Sequence, residues 1–325
     1  MPAYSPSQEG TIPFNVPSID KTCHTYFKVF GELSSGIPPL VCIHGGPGGG
    51  HGTLIPFAEL WTRYKIPIIL YDQIGCGLST HLPETGGDKG FWQPSLFIAE
   101  LENLIGHLKL HDGPGFHLYG RSFGGYIAPA YAAGRPRGLQ RLIIASGSAS
   151  KELSIQSFAE VRDMLPTEHR NAIVEAAQSG DFESSAYKSA LNHFITTYLC
   201  RTDAIPPELQ EALKNMDDDK TVQHTMNGPS PFAQNGSMIG WTTIPLLPKI
   251  NAPTLIFNGE FDTSGRDIAQ VPFFELIPRV RWVTLNGAGH TAHLESEELR
   301  EQVFKLMGEF LVPPKFDGVE SVVQS

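Results

Sequence analysis

The chain has 325 residues, 41% of them hydrophobic and 18% charged, with a formal net charge of −10 at pH 7. That length and composition suit a globular chain that buries one large core, or a core with a sizeable insertion. The acidic balance argues against general affinity for nucleic acid or anionic membranes, and no apolar run approaches the roughly 20 residues of a membrane span.

Segment 1–10 has neither a basic n-region nor an apolar h-region, so no signal peptide is read and a cytoplasmic location is expected. Through the first 150 residues short β-like runs alternate with helical patterns. The run PLVCIH at 39–44 is fully apolar and ends in a glycine-rich loop, and PIILYD at 67–72 is another. Over 97–110, Ile98, Leu101, Leu104, Ile105 and Leu108 fall at helical spacing. A strand at 115–119, a helix at 125–133 and a strand at 142–145 follow. Near-continuous hydrophobic strands separated by helices predict a parallel sheet covered on both faces.

After about 150 the text turns helical and polar, with helices expected at 154–164, 167–179, 182–199 and 207–215. Strands resume at 253–259 and 281–286, and a closing helix is expected at 296–310. The domain reading is a core of 1–150 and 251–325, with 151–250 inserted as a helical cap over the sheet's C-terminal edge. From 311 onward a loosely held tail is expected. The cysteines Cys23, Cys42, Cys76 and Cys200 are scattered, and Cys42 sits in an apolar run that suits a buried thiol. No CxxC or His/Cys cluster suggests a metal, and no cofactor is expected.

Gly120-Arg121-Ser122-Phe123-Gly124 stands where a buried strand hands over to a helix. A sharp turn there lifts a serine Oγ into an exposed position, and flanking glycines avoid a Cβ clash. The loop His44-Gly45-Gly46-Pro47-Gly48-Gly49-Gly50 lets a backbone N–H point into a site. With the N–H of Phe123, that of Gly46 is the expected oxyanion donor pair. A phosphate loop is the competing reading, but no Lys-Ser/Thr follows and no G-x-G-x-x-G opens a helix.

Asp262 leaves the strand at 253–259 and suits a carboxylate that orients a histidine, with Glu260 and Asp267 as alternatives. His290, between small residues after the last strand, suits the general base, with His293 as its rival. The chain order Ser122, Asp262, His290 is that of an α/β-hydrolase.

HGGPG, then Asp72-Gln73 with Gly75, Gly77 and Ser79, then GxSxGG, GEFD and GxGH resemble the proline iminopeptidase family. The resemblance runs from about 25 to 312 and takes in Met226-Asn227-Gly228-Pro229-Ser230. It implies an α/β fold of the α/β-hydrolase class, a mostly parallel eight-stranded sheet flanked by helices with an inserted helical cap. It also implies Ser122 as nucleophile, Asp262 and His290 as its partners, and Gly46 and Phe123 as oxyanion donors.

Three positions depart from the family pattern. Family aminopeptidases hold the substrate's α-ammonium with carboxylates. One belongs where this chain has Pro231, and another often follows the triad aspartate, where this chain has Thr263. The usual arginine of DQRG is Ile74. A buried ammonium without an anion costs several kcal/mol, about enough to cripple amine recognition.

Trp92, Tyr126, Met226, Asn227, Phe232, Asn235 and Trp241 are expected to line a binding site for an apolar or neutral polar molecule. The reading is a serine hydrolase that cleaves an amide or ester of a small-molecule or short peptide-like substrate through an acyl-enzyme. A true iminopeptidase or amidase would need its anion from Glu260 or from Asp217, Asp218 or Asp219. The alternative is a biosynthetic tailoring enzyme that hydrolyses, cyclises or transfers an acyl group on a natural product. A lyase using the same residues stays open, and a non-catalytic binding protein is the third reading.

Overall fold

A computed structural model describes residues 4–312, and the expected tail beyond Val312 lies outside them. Strands β1 (Gln8–Phe14) and β2 (Cys23–Phe30) form an antiparallel pair and open the chain. Then come β3 (Leu40–Ile43), α1 (Glu59–Tyr64), β4 (Ile68–Tyr71), α2 (Pro94–His107), β5 (Phe116–Arg121), α3 (Gly124–Ala133) and β6 (Leu139–Ala145). Helices α4 (Lys151–Met164), α5 (Thr167–Ser179), α6 (Ser185–Phe194), α7 (Pro207–Asp218) and α8 (Thr221–Met226) follow in succession. The chain closes with β7 (Thr254–Gly259), α9 (Asp267–Leu276), β8 (Val280–Leu285), α10 (Ala292–Glu295) and α11 (Glu297–Leu311).

The eight strands form one sheet in the order β1-β2-β4-β3-β5-β6-β7-β8. β2 pairs antiparallel with β1 and β4, and every other pairing is parallel. Alternation along the strands sends side chains to two cores. Val41, Ile69, Leu118, Ile144 and Ile256 face one side, where Phe97 and Leu101 of α2 and Ile127 of α3 cover them. Leu40, Cys42, Ile68, Ile143 and Leu255 face the other, under Leu60 of α1 and Phe304 and Met307 of α11. Burial on both sides explains why β3 and β4 read as unbroken apolar runs. Each such side chain contributes about 1.5–3 kcal/mol of transfer free energy.

Helices α4 to α6 have a small core of their own around Val161, Ile173, Tyr187 and Phe194. The helix expected over 182–199 starts later, at Ser185 after the Ser184 cap, and then runs on with a change of pitch, Ile195–Leu199 forming a π-turn. Residues Val222, Met226, Met238, Leu247 and Ile250 instead join the core on the α2 and α3 side of the sheet. Among the described residues no helix is long and apolar enough to cross a membrane.

Candidate active site

β5 ends at Arg121 and α3 starts at Gly124, so Ser122 and Phe123 make the whole turn. Ser122 has φ of 54°, a left-handed conformation uncommon for a residue with a Cβ. Its N–H donates to the Ala145 carbonyl at 3.0 Å, and its own carbonyl accepts from the Gly125 N–H at 2.9 Å. A Cβ on Gly120 would stand 2.2 Å from the Gly124 carbonyl oxygen, and one on Gly124 would stand 2.4 Å from that of Ile43. Only glycine at both ends lets strand and helix close on the serine.

His290 lies in the loop after β8, and its Nδ1 is 2.6 Å from Asp262 Oδ1. Asp262 is fully buried and also accepts the Gly265 N–H at 3.1 Å. Burial alone would raise the Asp262 carboxyl. The charge and hydrogen bond of His290, with the Gly265 N–H, hold it below the usual carboxylate range. With Nδ1 engaged, Nε2 is the ring nitrogen left for proton transfer. The His290 backbone is anchored on three sides. Its N–H donates to the Tyr198 carbonyl at 2.9 Å, and its carbonyl accepts from Arg121 Nη2 at 3.2 Å and Ser146 Oγ at 3.3 Å.

The rival residues are engaged elsewhere. Glu260 accepts the Gly287 N–H at 2.8 Å, and Asp267 stands in the first turn of α9. His293 is buried with Nε2 2.8 Å from the Thr53 carbonyl, and burial pushes its pKa down to about 3. Asp217 and Asp218 pair with Lys220 and Lys214, and Asp219 pairs with His81.

The loop at 44–51 rests on the motif at 72–79. Asp72, buried at the end of β4, accepts both the N–H and Nδ1 of His51 at 2.8 Å, and the Leu78 N–H at 2.9 Å. Burial opposes its charge, yet His51, His44 and these donors keep the carboxyl below its ordinary range. Gln73 closes on the same loop from its backbone and its side chain, its N–H reaching His44 Nε2 at 3.1 Å and its Nε2 the His44 carbonyl at 3.1 Å. Gly46 holds φ of 120°, and a Cβ there would stand 2.7 Å from the nitrogens of Gly48 and Gly49. Among the described residues, neither the Gly46 N–H nor the Phe123 N–H meets a protein acceptor.

Ser122, His290, Gly46 and Phe123 all line one cavity of about 260 Å³ between the sheet edge and the inserted helices. Its far wall is apolar, with Leu191 and Phe194 from α6, Ile195 from the π-turn, and Leu209, Leu213 and Met216 from α7. Pro231 and Thr263, the positions where the resemblance would lead one to expect anions, both line it. Among the described residues no Asp or Glu lines this cavity, while Arg121 and Lys151 do. Two buried lining atoms, Thr263 Oγ1 and Gln234 Oε1, have no protein hydrogen-bond partner among the described residues.

Of the residues expected to line a binding site, Tyr126 and Asn227 line this cavity. Trp92 does not. It is fully buried, stacks on Phe97, and donates from Nε1 to Thr85 Oγ1 at 2.9 Å. Met226 is fully buried in the core under α8. Phe232 lies behind the wall, against Phe158 and Phe194. Asn235 spends its backbone N–H on the Asn227 carbonyl and its own carbonyl on Lys89, and Trp241 packs on the main core. Sequence reasoning missed Lys151 and the α7 face. Leu209, Ala212, Leu213 and Met216 are spaced as a helical apolar stripe, a pattern that ordinary core also produces.

A family model described as the alpha/beta hydrolase fold matches residues 38–297. Among curated relatives, a proline iminopeptidase of Thermoplasma volcanium is 34% identical over 76% of this chain and 81% of its own length. Another, of Saccharolobus solfataricus, is 31% identical over 86% of this chain and 87% of its own. The crystal structure of VinJ superposes with a TM-score of 0.87 at 34% identity, covering 95% of this chain and all of that one. A proline iminopeptidase of Mycobacterium smegmatis gives 0.83 at 32% identity, over 94% of this chain and 97% of its own. Fold, motifs and relatives agree: the chain belongs to the α/β-hydrolase family, in its proline iminopeptidase group, and is a hydrolase.

Proposed function

We propose that the protein is a serine hydrolase that cleaves an amide or ester bond through an acyl-enzyme, with Ser122, His290 and Asp262 as its catalytic residues. The observation that carries this reading is the Asp262–His290 hydrogen bond beside a serine held at positive φ in the same cavity. His290 Nε2 takes the Ser122 proton as Oγ attacks the substrate carbonyl carbon. The N–H groups of Gly46 and Phe123 hold the oxyanion. Collapse of the intermediate breaks the bond to the leaving group, which takes its proton from His290. A water molecule, deprotonated by His290, then releases the acid and regenerates Ser122. Asp262 fixes the ring and stabilises its cationic form. Residues 151–250 act in this reading as a cap on a core of 1–150 and 251–325, and exclude water from the bond under attack.

A second reading concerns the substrate, which is a small molecule or a short peptide. The absence of any carboxylate from the cavity lining among the described residues favours a substrate without a free α-ammonium, as a tailoring enzyme would take. Treatment with a fluorophosphonate probe tests the nucleophile. Intact mass and peptide mapping are expected to place one adduct on Ser122, none in Ser122→Ala, and slow labelling in His290→Ala. An adduct on another residue contradicts the assignment.

A further inference from the structure

Lys151 is the first residue of α4 and only 4% exposed, yet it lines the cavity. Its backbone is fixed, since its N–H donates to the Trp241 carbonyl at 2.9 Å and Ser150 caps the helix with its side chain. Nζ donates to Asn227 Oδ1 at 2.6 Å, and Asn227 Nδ2 reaches the Gly46 carbonyl at 3.4 Å. Among the described residues no carboxylate lies within ion-pair distance of Nζ, although exposed lysines such as Lys21, Lys188 and Lys214 have one. Burial without a counterion pushes its pKa down to about 7. The N-terminal end of α4 adds positive potential at the same place.

A buried cation whose one partner among the described residues is a neutral amide is poorly compensated, and an anion delivered by a ligand supplies what those residues do not. The rest of the cavity narrows the ligand. Leu191, Phe194, Leu209 and Leu213 offer an apolar wall, so the anion arrives on an apolar skeleton. This charge pattern is the reverse of a site for an N-terminal ammonium.

We infer that Lys151 and Asn227 seat a carboxylate of the substrate, so that the enzyme acts on amides or esters of apolar, carboxylate-bearing molecules. The inference rests on the hydrolase reading of Ser122 and deepens it. The seat is tied through Asn227 to the loop that carries Gly46, so an occupied seat also steadies that loop.

Binding to the Ser122→Ala chain tests the seat without turnover, by calorimetry on two matched pairs. N-hexanoylglycine against N-hexanoylglycinamide places the carboxylate beyond the amide nitrogen. Adipic acid monoanilide against hexanoic anilide places it at the far end of the acyl chain. In at least one pair the carboxylate is expected to bind roughly tenfold tighter than its neutral partner, as a charge-assisted contact in a buried site should. Adding Lys151→Met brings that pair to parity, and Lys151→Arg keeps most of the preference. Thermal melts of the variants identify any misfolded one, and Lys151→Arg then serves as the second, charge-retaining probe. No carboxylate preference in either pair, no binding of either carboxylate at millimolar concentration, or a preference that survives Lys151→Met overturns the inference. Failure of the hydrolase reading appears separately, as wild-type turnover that does not depend on Ser122.

Discussion

Asp72 holds His51 by two hydrogen bonds at once, from the backbone N–H and from Nδ1, both at 2.8 Å. Its other oxygen takes the Leu78 N–H, so one buried carboxylate fixes the far end of the glycine-rich loop at 44–51 against the loop that leaves β4. The Asp-Gln of the DQ-x-G-x-G-x-S motif is therefore support for the site and lies outside the cavity lining. Asp72→Asn puts an N–H group against donors. It is expected to lower stability by about 2–4 kcal/mol and to reduce kcat more than KM is raised. Denaturant titration with steady-state kinetics on the same preparation checks both parts.

Asp262→Asn is expected to cost about 10³–10⁴ in kcat, because a neutral amide does not stabilise the imidazolium and, able to donate as well as accept, no longer fixes the tautomer with Nδ1 as donor. The same change alters the acid limb of stability. Asp262 is held below its ordinary pKa of 3.8, so its contribution is present above that value and is lost as pH falls through the depressed pKa. Denaturation midpoints of wild type and variant are predicted to draw together as pH falls below 3.8.

Glu100 predicts the opposite sign. It is fully buried, receives the Ile74 N–H at 2.9 Å and the Thr25 hydroxyl at 2.5 Å, and burial pushes its pKa up to about 8. The folded state thus holds this proton more tightly than the unfolded chain. Stability is full below about pH 4.5 and falls as pH rises toward about 8. Glu100→Gln carries no charge to bury, so its stability relative to wild type is expected to rise from pH 5 to pH 9, by on the order of a few kcal/mol. Urea midpoints at the two values measure it.

The core strands were legible because β3, β4, β5 and β7 are buried on both faces, β3 and β4 as unbroken apolar runs and β5 and β7 with few polar residues among apolar ones. β1 and β2 were not, since they pair at the sheet edge and alternate polar with apolar residues around Gly10 and Pro13. Ser122, Asp262 and His290 could be picked out because each follows a strand of the parallel sheet, where the turn itself demands particular residues. The cavity wall was illegible. Trp92 and Met226 have the composition of a binding site and the position of core, while Leu209 and Leu213 have the reverse. Lys151 gave no signal, because a lysine at a helix start ordinarily points to solvent.

Pro231 and Thr263 line the cavity, so carboxylates introduced there would face a substrate's free amine. Pro231→Glu combined with Thr263→Asp is expected to raise kcat/KM for unblocked Pro-β-naphthylamide at least about tenfold, by supplying an anion for the α-ammonium. Fluorimetric rates for the double variant, each single variant and wild type test this.

Ser122-dependent acyl transfer is proposed in a cavity that no carboxylate lines among the described residues. Its most direct test is the hydrolysis rate of Pro-β-naphthylamide, N-acetyl-Pro-β-naphthylamide and p-nitrophenyl butyrate by wild type and Ser122→Ala. The account predicts that wild type cleaves the ester and the blocked amide faster than the free amine, and that Ser122→Ala loses on the order of 10⁴–10⁶ in turnover. Undiminished turnover by Ser122→Ala, or a wild type that cleaves only the unblocked amide, would contradict it.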